Sequence, residues 1–432
     1  MNIPLLLIII GFFIIVLVGY SKKNVDYLSV AIICSLAAAT LTSIFTDADY
    51  EFFLNEIGFQ AIIVIFCMNI ITNLATESNI LEYLAIKLFK ISKGNDRLFF
   101  YFLCFITTLL AAIISDVVVA IILAPVVIRL CRILRIQAGT HLLGMALSIN
   151  IGSILTPFSS GKNIVISTTY NLNTIYFLQH FWIFAFVLWF ITVFIMDRMF
   201  LREEPSIDKQ QKKLVLELIN GEIIIKNRKI FLVNIVAILM TIFFFIIIPE
   251  LYLVALFSAF ILILINRSFT KKKATELFKE LEWGVLFFFI SLYIIVACLK
   301  AAGFKDLLLL IPFEFLSTPI MAILLLIVVS FINAFVANNP TALFLIPFID
   351  VLIFEYNFPS VPIFFAFIFA INLGGNFLPS GCTCNVFLLN TAQENNVKNL
   401  DYRRFLIVGA SMTGLHILLT IGYVFFMSFL YP

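Results

Sequence analysis

Charged side chains are scarce in this chain. Asp, Glu, Lys and Arg make up 12% of its 432 residues, against about a quarter in a soluble globular domain. With 62% hydrophobic residues and a mean hydropathy of +1.12, that scarcity leaves almost nothing from which to build a soluble domain. The net charge is only +3, which supplies no basic field for a nucleic-acid partner. The Gly-x-Ser-x-Gly elbow, the His-Glu-x-x-His pair and the Walker lysine loop are all missing, so neither an intramembrane enzyme nor an ATP-hydrolysing chain has a sequence basis. The seven cysteines form no disulfide framework and no zinc spacing. Five of them (Cys34, Cys67, Cys104, Cys131 and Cys298) stand in apolar segments, where a small buried thiol is the plain reading. His141, His180 and His416 read as packing or interfacial residues rather than proton relays. The apolar run Ile3 to Gly19 has no basic segment before it and no convincing cleavage site, so it reads as a retained first span.

What the chain does have is a duplication. One stretch carries Ser115-Asp116-Val117, Pro125, Asn150-Ile151-Gly152 and Thr156-Pro157-Phe158-Ser159-Ser160-Gly161-Lys162-Asn163. A second, 222 residues on, carries Ala337-Asn338-Asn339, Pro347, Asn372-Leu373-Gly374 and Leu378-Pro379-Ser380-Gly381-Cys382-Thr383-Cys384-Asn385. Asp116 pairs with Asn338, Pro125 with Pro347, Asn150 with Asn372, Gly152 with Gly374, Pro157 with Pro379 and Asn163 with Asn385, all at one offset. Helix breakers and amides inside apolar segments are costly in lipid and are tolerated where they line a cavity. A duplicated set of them points to a binding site between inverted repeats.

A span needs about 20 apolar residues. Eight uninterrupted candidates are 3–19, 25–45, 57–76, 176–197, 230–248, 251–266, 284–299 and 405–430, and two more, 139–170 and 361–390, are broken at the repeated motifs. The stretches 98–128 and 319–354 are interrupted at Asp116 and at Asn338-Asn339. Basic residues sort these segments. Lys87, Lys90, Lys93 and Arg97 precede 98–128, and Arg129, Arg132 and Arg135 follow it, so both its ends are expected on the cytoplasmic side and it reads as a re-entrant hairpin with Asp116 at the tip. By symmetry 319–354 is a hairpin from the opposite face. Lys22 and Lys23, the 198–229 linker, the 267–279 loop and Lys398, Arg403 and Arg404 are also expected to be cytoplasmic, whereas Lys300 and Lys305 are the only basic residues in the expected outside segments. The expectation is an all-α polytopic membrane protein of two inverted repeats, 1–197 and 230–432, each with five spans (one broken) and one hairpin, joined by a cytoplasmic connector at 198–229. Two amphipathic stretches, 79–93 and 304–316, are expected to lie flat at the interface.

The hairpin tip, the Thr-Pro segment ending in Asn163 and the second copy of both resemble the ion transporter superfamily, which includes arsenite pumps, citrate and dicarboxylate permeases, sulfate permeases and sodium/proton antiporters. Leu281-Glu282-Trp283-Gly284 and Gly374-Gly375-Asn376 resemble further segments of the same group, and the likeness runs over nearly the whole chain. It implies a multi-pass protein of the cell membrane, often homodimeric, that moves a small anion by secondary transport as a mobile domain travels against a scaffold. It implies hairpin-tip site residues Ser115, Asp116, Asn338, Asn339 and Thr341, and broken-helix site residues Thr156, Ser159, Ser160, Gly161, Lys162, Asn163, Ser380, Gly381, Thr383 and Asn385. No cofactor is implied beyond a bound sodium ion or a transported proton. Some arsenite pumps of the group work with a separate ATPase subunit, which the 198–229 linker is placed to contact. The chain departs from the group's pattern where Ser115-Asp116-Val117 and Ala337-Asn338-Asn339 replace a Ser-Asn-Thr tip, at Lys162, and at Cys382-Thr383-Cys384. These departures bear on sodium coupling and on carboxylate specificity.

Broken helices aim backbone N–H groups at anions and free carbonyls at cations. Asp116 and Lys162 are the only ionisable residues expected at the centre of the site. The plainer reading of Lys162 is a vestibule lysine that attracts an anion. The sharper one is an ammonium standing in a cation site and paired with Asp116, with protons replacing sodium. Cation/proton antiport remains the second function, favoured by Asp116 and disfavoured by Lys162. Arsenite or antimonite efflux through Cys382 and Cys384 is a third, although these two thiols more simply fill a tight loop.

Overall fold

A computed structural model of the chain describes residues 2–22, 25–93, 95–134, 136–201, 225, 227–270 and 274–431. Lys23, Arg135, 271–273 and, of the connector expected at 198–229, residues 202–224 and 226 lie outside them. Among the described residues all regular structure is helical. The first half runs α1 (Ile3–Ser21), α2 (Tyr27–Phe45), α3 (Tyr50–Glu56), α4 (Phe59–Glu77), α5 (Ile80–Ile91), α6 (Asp96–Ala111), α7 (Asp116–Leu134), α8 (Gly139–Gly152), α9 (Gly161–Tyr170), α10 (Thr174–His180) and α11 (Trp182–Met196). The second runs α12 (Arg228–Ile247), α13 (Leu251–Thr270), α14 (Ala274–Lys279), α15 (Trp283–Ala301), α16 (Phe304–Leu308), α17 (Thr318–Phe335), α18 (Asn338–Asp350), α19 (Ser360–Leu373), α20 (Thr383–Glu394) and α21 (Tyr402–Leu430).

Nine described helices are long and apolar enough to cross a bilayer. The chain is therefore an all-α, multi-pass integral membrane protein. Eight of the nine overlap the eight uninterrupted spans expected from sequence, and the ninth is α17, the first arm of the 319–354 stretch. Side-chain caps mark several starts: Asn2, Asp26, Asp49, Asn95 and Asp401 each accept a bond from a backbone N–H of the first helical turn. The Ser29 hydroxyl also donates to Asp26 and, as the leading cause, holds that exposed carboxyl below its ordinary range.

Two segments differ from expectation. The span at 176–197 is two helices, with the break at Phe181. There His180 Nδ1 lies 2.8 Å from the Tyr176 carbonyl and competes with the backbone for it. The amphipathic stretch at 304–316 is only the five residues of α16 and a 3₁₀ turn at Phe313–Phe315, because Pro312 has no N–H to continue a helix. By contrast 79–93 is helical as α5, which buries Ile80, Leu81, Ala85, Ile86 and Phe89.

The apolar side chains gather into three cores. One is built mainly by α1, α2, α4, α13 and α15, long helices from both halves, with Phe245 of α12, and it takes in Phe158, Ile164 and Val165 at the first break and Leu343 and Ile346 of α18. The second surrounds α6, α7 and α8 and takes in Cys382, Cys384 and Leu388 from the other half. The third surrounds α17, α18 and α19 and takes in Ile166, Phe177 and Leu188. Each hairpin thus packs with residues of the opposite half: α7 lies against α20, and α18 lies against α9. One close contact occurs twice at the 222-residue offset. A Cβ on Gly152 would overlap the Thr108 carbonyl of α6, and a Cβ on Gly374 would stand 2.6 Å from the Ser330 carbonyl of α17. Only glycine lets these backbones approach so closely.

Candidate functional site

Proline shapes both breaks. A residue before proline is pushed out of the helical region, and Thr156 before Pro157 (φ −139°, ψ 153°) and Leu378 before Pro379 (φ −114°, ψ 146°) are both extended. After a short turn the chain is extended again at Ser160 and Cys382 and then enters α9 and α20. The N-terminal ends of α7, α9, α18 and α20 all meet one cavity of about 850 Å³. Four helix N-termini aimed at one space favour negative charge there.

The expected site residues divide into two sets. Ser115, Asp116, Ser159, Ser160, Gly161, Asn339, Ser380 and Thr383 line the cavity. Thr156, Lys162, Asn163, Asn338, Thr341, Gly381 and Asn385 stand behind that lining. Most of the second set hold the breaks in shape. Thr156 Oγ1 donates to Ala112 O. Asn163 Nδ2 donates to Ser153 O and to Thr156 O, the latter at 3.2 Å. At the same offset Asn385 Nδ2 donates to Gly375 O at 3.1 Å. Thr341 Oγ1 returns to Ala337 O at 3.0 Å. The two breaks are tied to each other by amides, Asn372 Nδ2 to Asn163 Oδ1 at 3.0 Å and Asn150 Nδ2 to Asn376 Oδ1 at 2.7 Å. Asparagine suits this role because one amide both donates and accepts in a place without water.

Lys162 is the exception in the second set. Its side chain is 1% exposed, and its Nζ stands 3.3 Å from Asp116 Oδ2. In the amide orientation that satisfies both ends of Asn338, the Asn338 oxygen accepts from Lys162 Nζ at 3.0 Å while its nitrogen donates to Gly381 O at 2.9 Å and Asn333 Oδ1 at 3.0 Å. One ammonium therefore bridges the tips of both hairpins. A lone charge here would be expensive; a partnered one with its donors used is tolerable. The vestibule reading of Lys162 does not fit this burial, and the paired reading does.

The cavity lining also holds Ser21, Tyr27, Glu280 and Glu282, which adjoin Lys22 and the 267–279 loop, both expected on the cytoplasmic side. In the other direction, α9 and α18 start at the cavity and end together, where Tyr170 Oη donates to Asp350 Oδ1 at 2.9 Å. Lys300–Glu56 at 2.8 Å and Lys305–Glu355 at 2.5 Å are ion pairs in segments expected outside. The sulfurs of Cys382 and Cys384 are 3.0 Å apart and buried, whereas Thr383 between them lines the cavity. His141 lies between Phe99 and Phe100 with Nε2 3.1 Å from Asp96 Oδ1, and His416 Nε2 meets Thr192 Oγ1 at 2.7 Å. Neither is a cavity residue.

Sequence reading missed the α4 wall of the cavity. Asn69, Thr72, Asn73 and Thr76 of α4, with Tyr20 of α1, line the same cavity. The signal was present as a polar stripe at i, i+3, i+4 and i+7 within an apolar span, the spacing of one helix face. Asn333 and Asn376 were also missed as members of the amide network.

A family model described as a citrate transporter matches residues 5–353. A 46 kDa membrane protein of Mycobacterium leprae is 24% identical over 372 residues, which cover 83% of this chain and 84% of the relative. An uncharacterized transporter of Mycobacterium tuberculosis is 25% identical over 404 residues, covering 91% and 92%. The human P protein is 27% identical over 143 residues, a third of this chain (33%) and 17% of the relative.

Proposed function

The chain belongs to the citrate transporter family, whose members are membrane transporters and not enzymes, and on that premise we propose that it carries a small anion, with a citrate-like carboxylate as the first candidate, by secondary transport coupled to protons. The observation that carries this reading is Lys162, buried and bridging Asp116 and Asn338 beneath a cavity ringed by helix N-termini. An ammonium fixed to the chain does what a bound sodium ion would do: it supplies a positive charge between the hairpin tips. Asp116 then remains as the group that takes up and releases the driving proton.

The two halves 1–197 and 230–432 act in this proposal as inverted repeats. The hairpins and broken helices form the part that moves, and α1, α2, α4, α12, α13 and α15 form the scaffold. The exchange of α9 and α20 between the hairpins supports grouping them as one part, which meets the scaffold core through Phe158, Ile164, Val165, Leu343 and Ile346. The rim of the cavity corresponds to a site open toward the cytoplasm, with the Tyr170–Asp350 end closed.

The test is uptake of labelled citrate into proteoliposomes under separately imposed pH and sodium gradients. We expect accumulation under the pH gradient, none under sodium alone, and loss of pH-driven accumulation in Asp116→Asn. Sodium-driven accumulation that Asp116→Asn leaves untouched would overturn the coupling. A second reading, cation/proton antiport, rests on the cavity carboxylate Asp116; it requires sodium-dependent proton movement without anion flux in the same vesicles. Arsenite efflux has weaker support, since Cys382 and Cys384 are absent from the cavity lining.

A further inference from the structure

Most hydroxyls on the membrane helices are satisfied locally. Thr42 Oγ1 bonds Ala38 O at 2.8 Å, Thr76 Oγ1 bonds Thr72 O at 2.9 Å and Thr420 Oγ1 bonds His416 O at 2.7 Å. Thr72 breaks this habit, as do Thr107, Ser148, Ser167, Ser330 and Thr413, and of these six only Thr72 lines the cavity. It is 4% exposed, it lines the cavity, and its hydroxyl has no partner among the described residues. Ser160, the residue before α9, has the same three properties, again at 4% exposure. Helix α4 packs directly on α9, so the two unsatisfied hydroxyls belong to neighbouring elements around one cavity. A buried hydroxyl without a partner costs free energy that a ligand oxygen can recover.

The two walls differ in chemistry. Asp116 and the four helix N-termini are on one side, with Lys162 behind them. The α4 wall is neutral, with Asn69, Thr72, Asn73 and Thr76 and no ionisable side chain among them. Carboxylates are drawn to the first wall. The second wall suits an uncharged oxygen.

We infer that α4 is the specificity wall of the site, and that Thr72, with Ser160 on the adjoining element, binds the hydroxyl of a hydroxylated carboxylate. This rests on the anion-transport reading above. A site that hydrogen-bonds a substrate hydroxyl discriminates against the analogue that lacks it, because its own polar groups are then left unpaired.

The experiment compares citrate with tricarballylate, the same tricarboxylate without the hydroxyl, in proteoliposomes of the full-length protein. Wild type is expected to favour citrate in KM by roughly tenfold or more. Thr72→Val, close to isosteric, is expected to bring the two KM values within about twofold by raising that for citrate alone, while Thr72→Ser keeps the preference. Thr72→Ala, which adds no bulk, is read in parallel, and size-exclusion profiles report folding of each variant. Equal loss for both substrates, no change in Thr72→Val and Thr72→Ala, or a wild type indifferent to the hydroxyl would each overturn the inference while leaving anion transport standing. A wild type that moves neither tricarboxylate under either gradient would overturn both.

Discussion

The two breaks share a backbone and differ in charge. At one, Asp116 and Lys162 stand 3.3 Å apart. At the same offset in the other half stand Asn338 and Cys384, both neutral, while the prolines, the close-packed glycines and the loop-tying asparagines are kept. The shared residues are those that shape the chain, and the differing ones are those that set its electrostatics. The second half thus supplies a neutral partner, Asn338, to a charge that the first half carries. Duplication accounts for the cavity, and the differences at Asp116/Asn338 and Lys162/Cys384 account for its formal charges.

The comparison breaks most severely at Lys162. Lys162→Ala leaves Asp116 without its cation, and the expected cost is about 3–5 kcal/mol, seen as a lower melting temperature in detergent together with loss of pH-driven uptake. Lys162→Ala combined with Asp116→Ala is expected to recover much of the stability but none of the coupled uptake. Next come the two glycines. Gly152→Ala and Gly374→Ala should each cost about 1–3 kcal/mol through overpacking, and similar losses of expression and melting temperature in both would show that the halves are equivalent in shape. Asn338→Ala removes a hydrogen-bonded partner of Lys162 and is expected to cost about 1–2 kcal/mol while proton-driven uptake persists at a raised KM; abolition of coupling would place the coupling chemistry in both halves. The smallest effect is expected at Cys384→Ala. A buried thiol behaves as a small apolar group, so uptake should stay within roughly twofold of wild type and stability within about 1.5 kcal/mol.

Much of the fold was legible because lipid enforces simple rules: long apolar runs cross it, and breaks sit where protein or water surrounds them. That is why eight uninterrupted spans and the tips at Asp116 and Asn338 could be located from the chain. The exceptions are local. The break at Phe181 has no helix-breaking residue to announce it, and the shortness of α16 depends on one missing N–H at Pro312. Within the site, residue type did not reveal direction. Ser159 and Asn163 lie four residues apart in one motif and both tie the loop to the Thr156 carbonyl, yet only Ser159 lines the cavity. An interrupted helix has no fixed phase from which to tell the two apart. The α4 stripe had that phase, but Thr and Asn on a membrane helix usually satisfy themselves or a neighbour, and only the missing partner of Thr72 separates it from Thr76.

A cation that arrives from solution obeys mass action, so its occupancy falls as the surroundings are diluted. Lys162 is joined to the backbone one residue into α9. Its place beside Asp116 is filled to the same extent in fresh water and in brine.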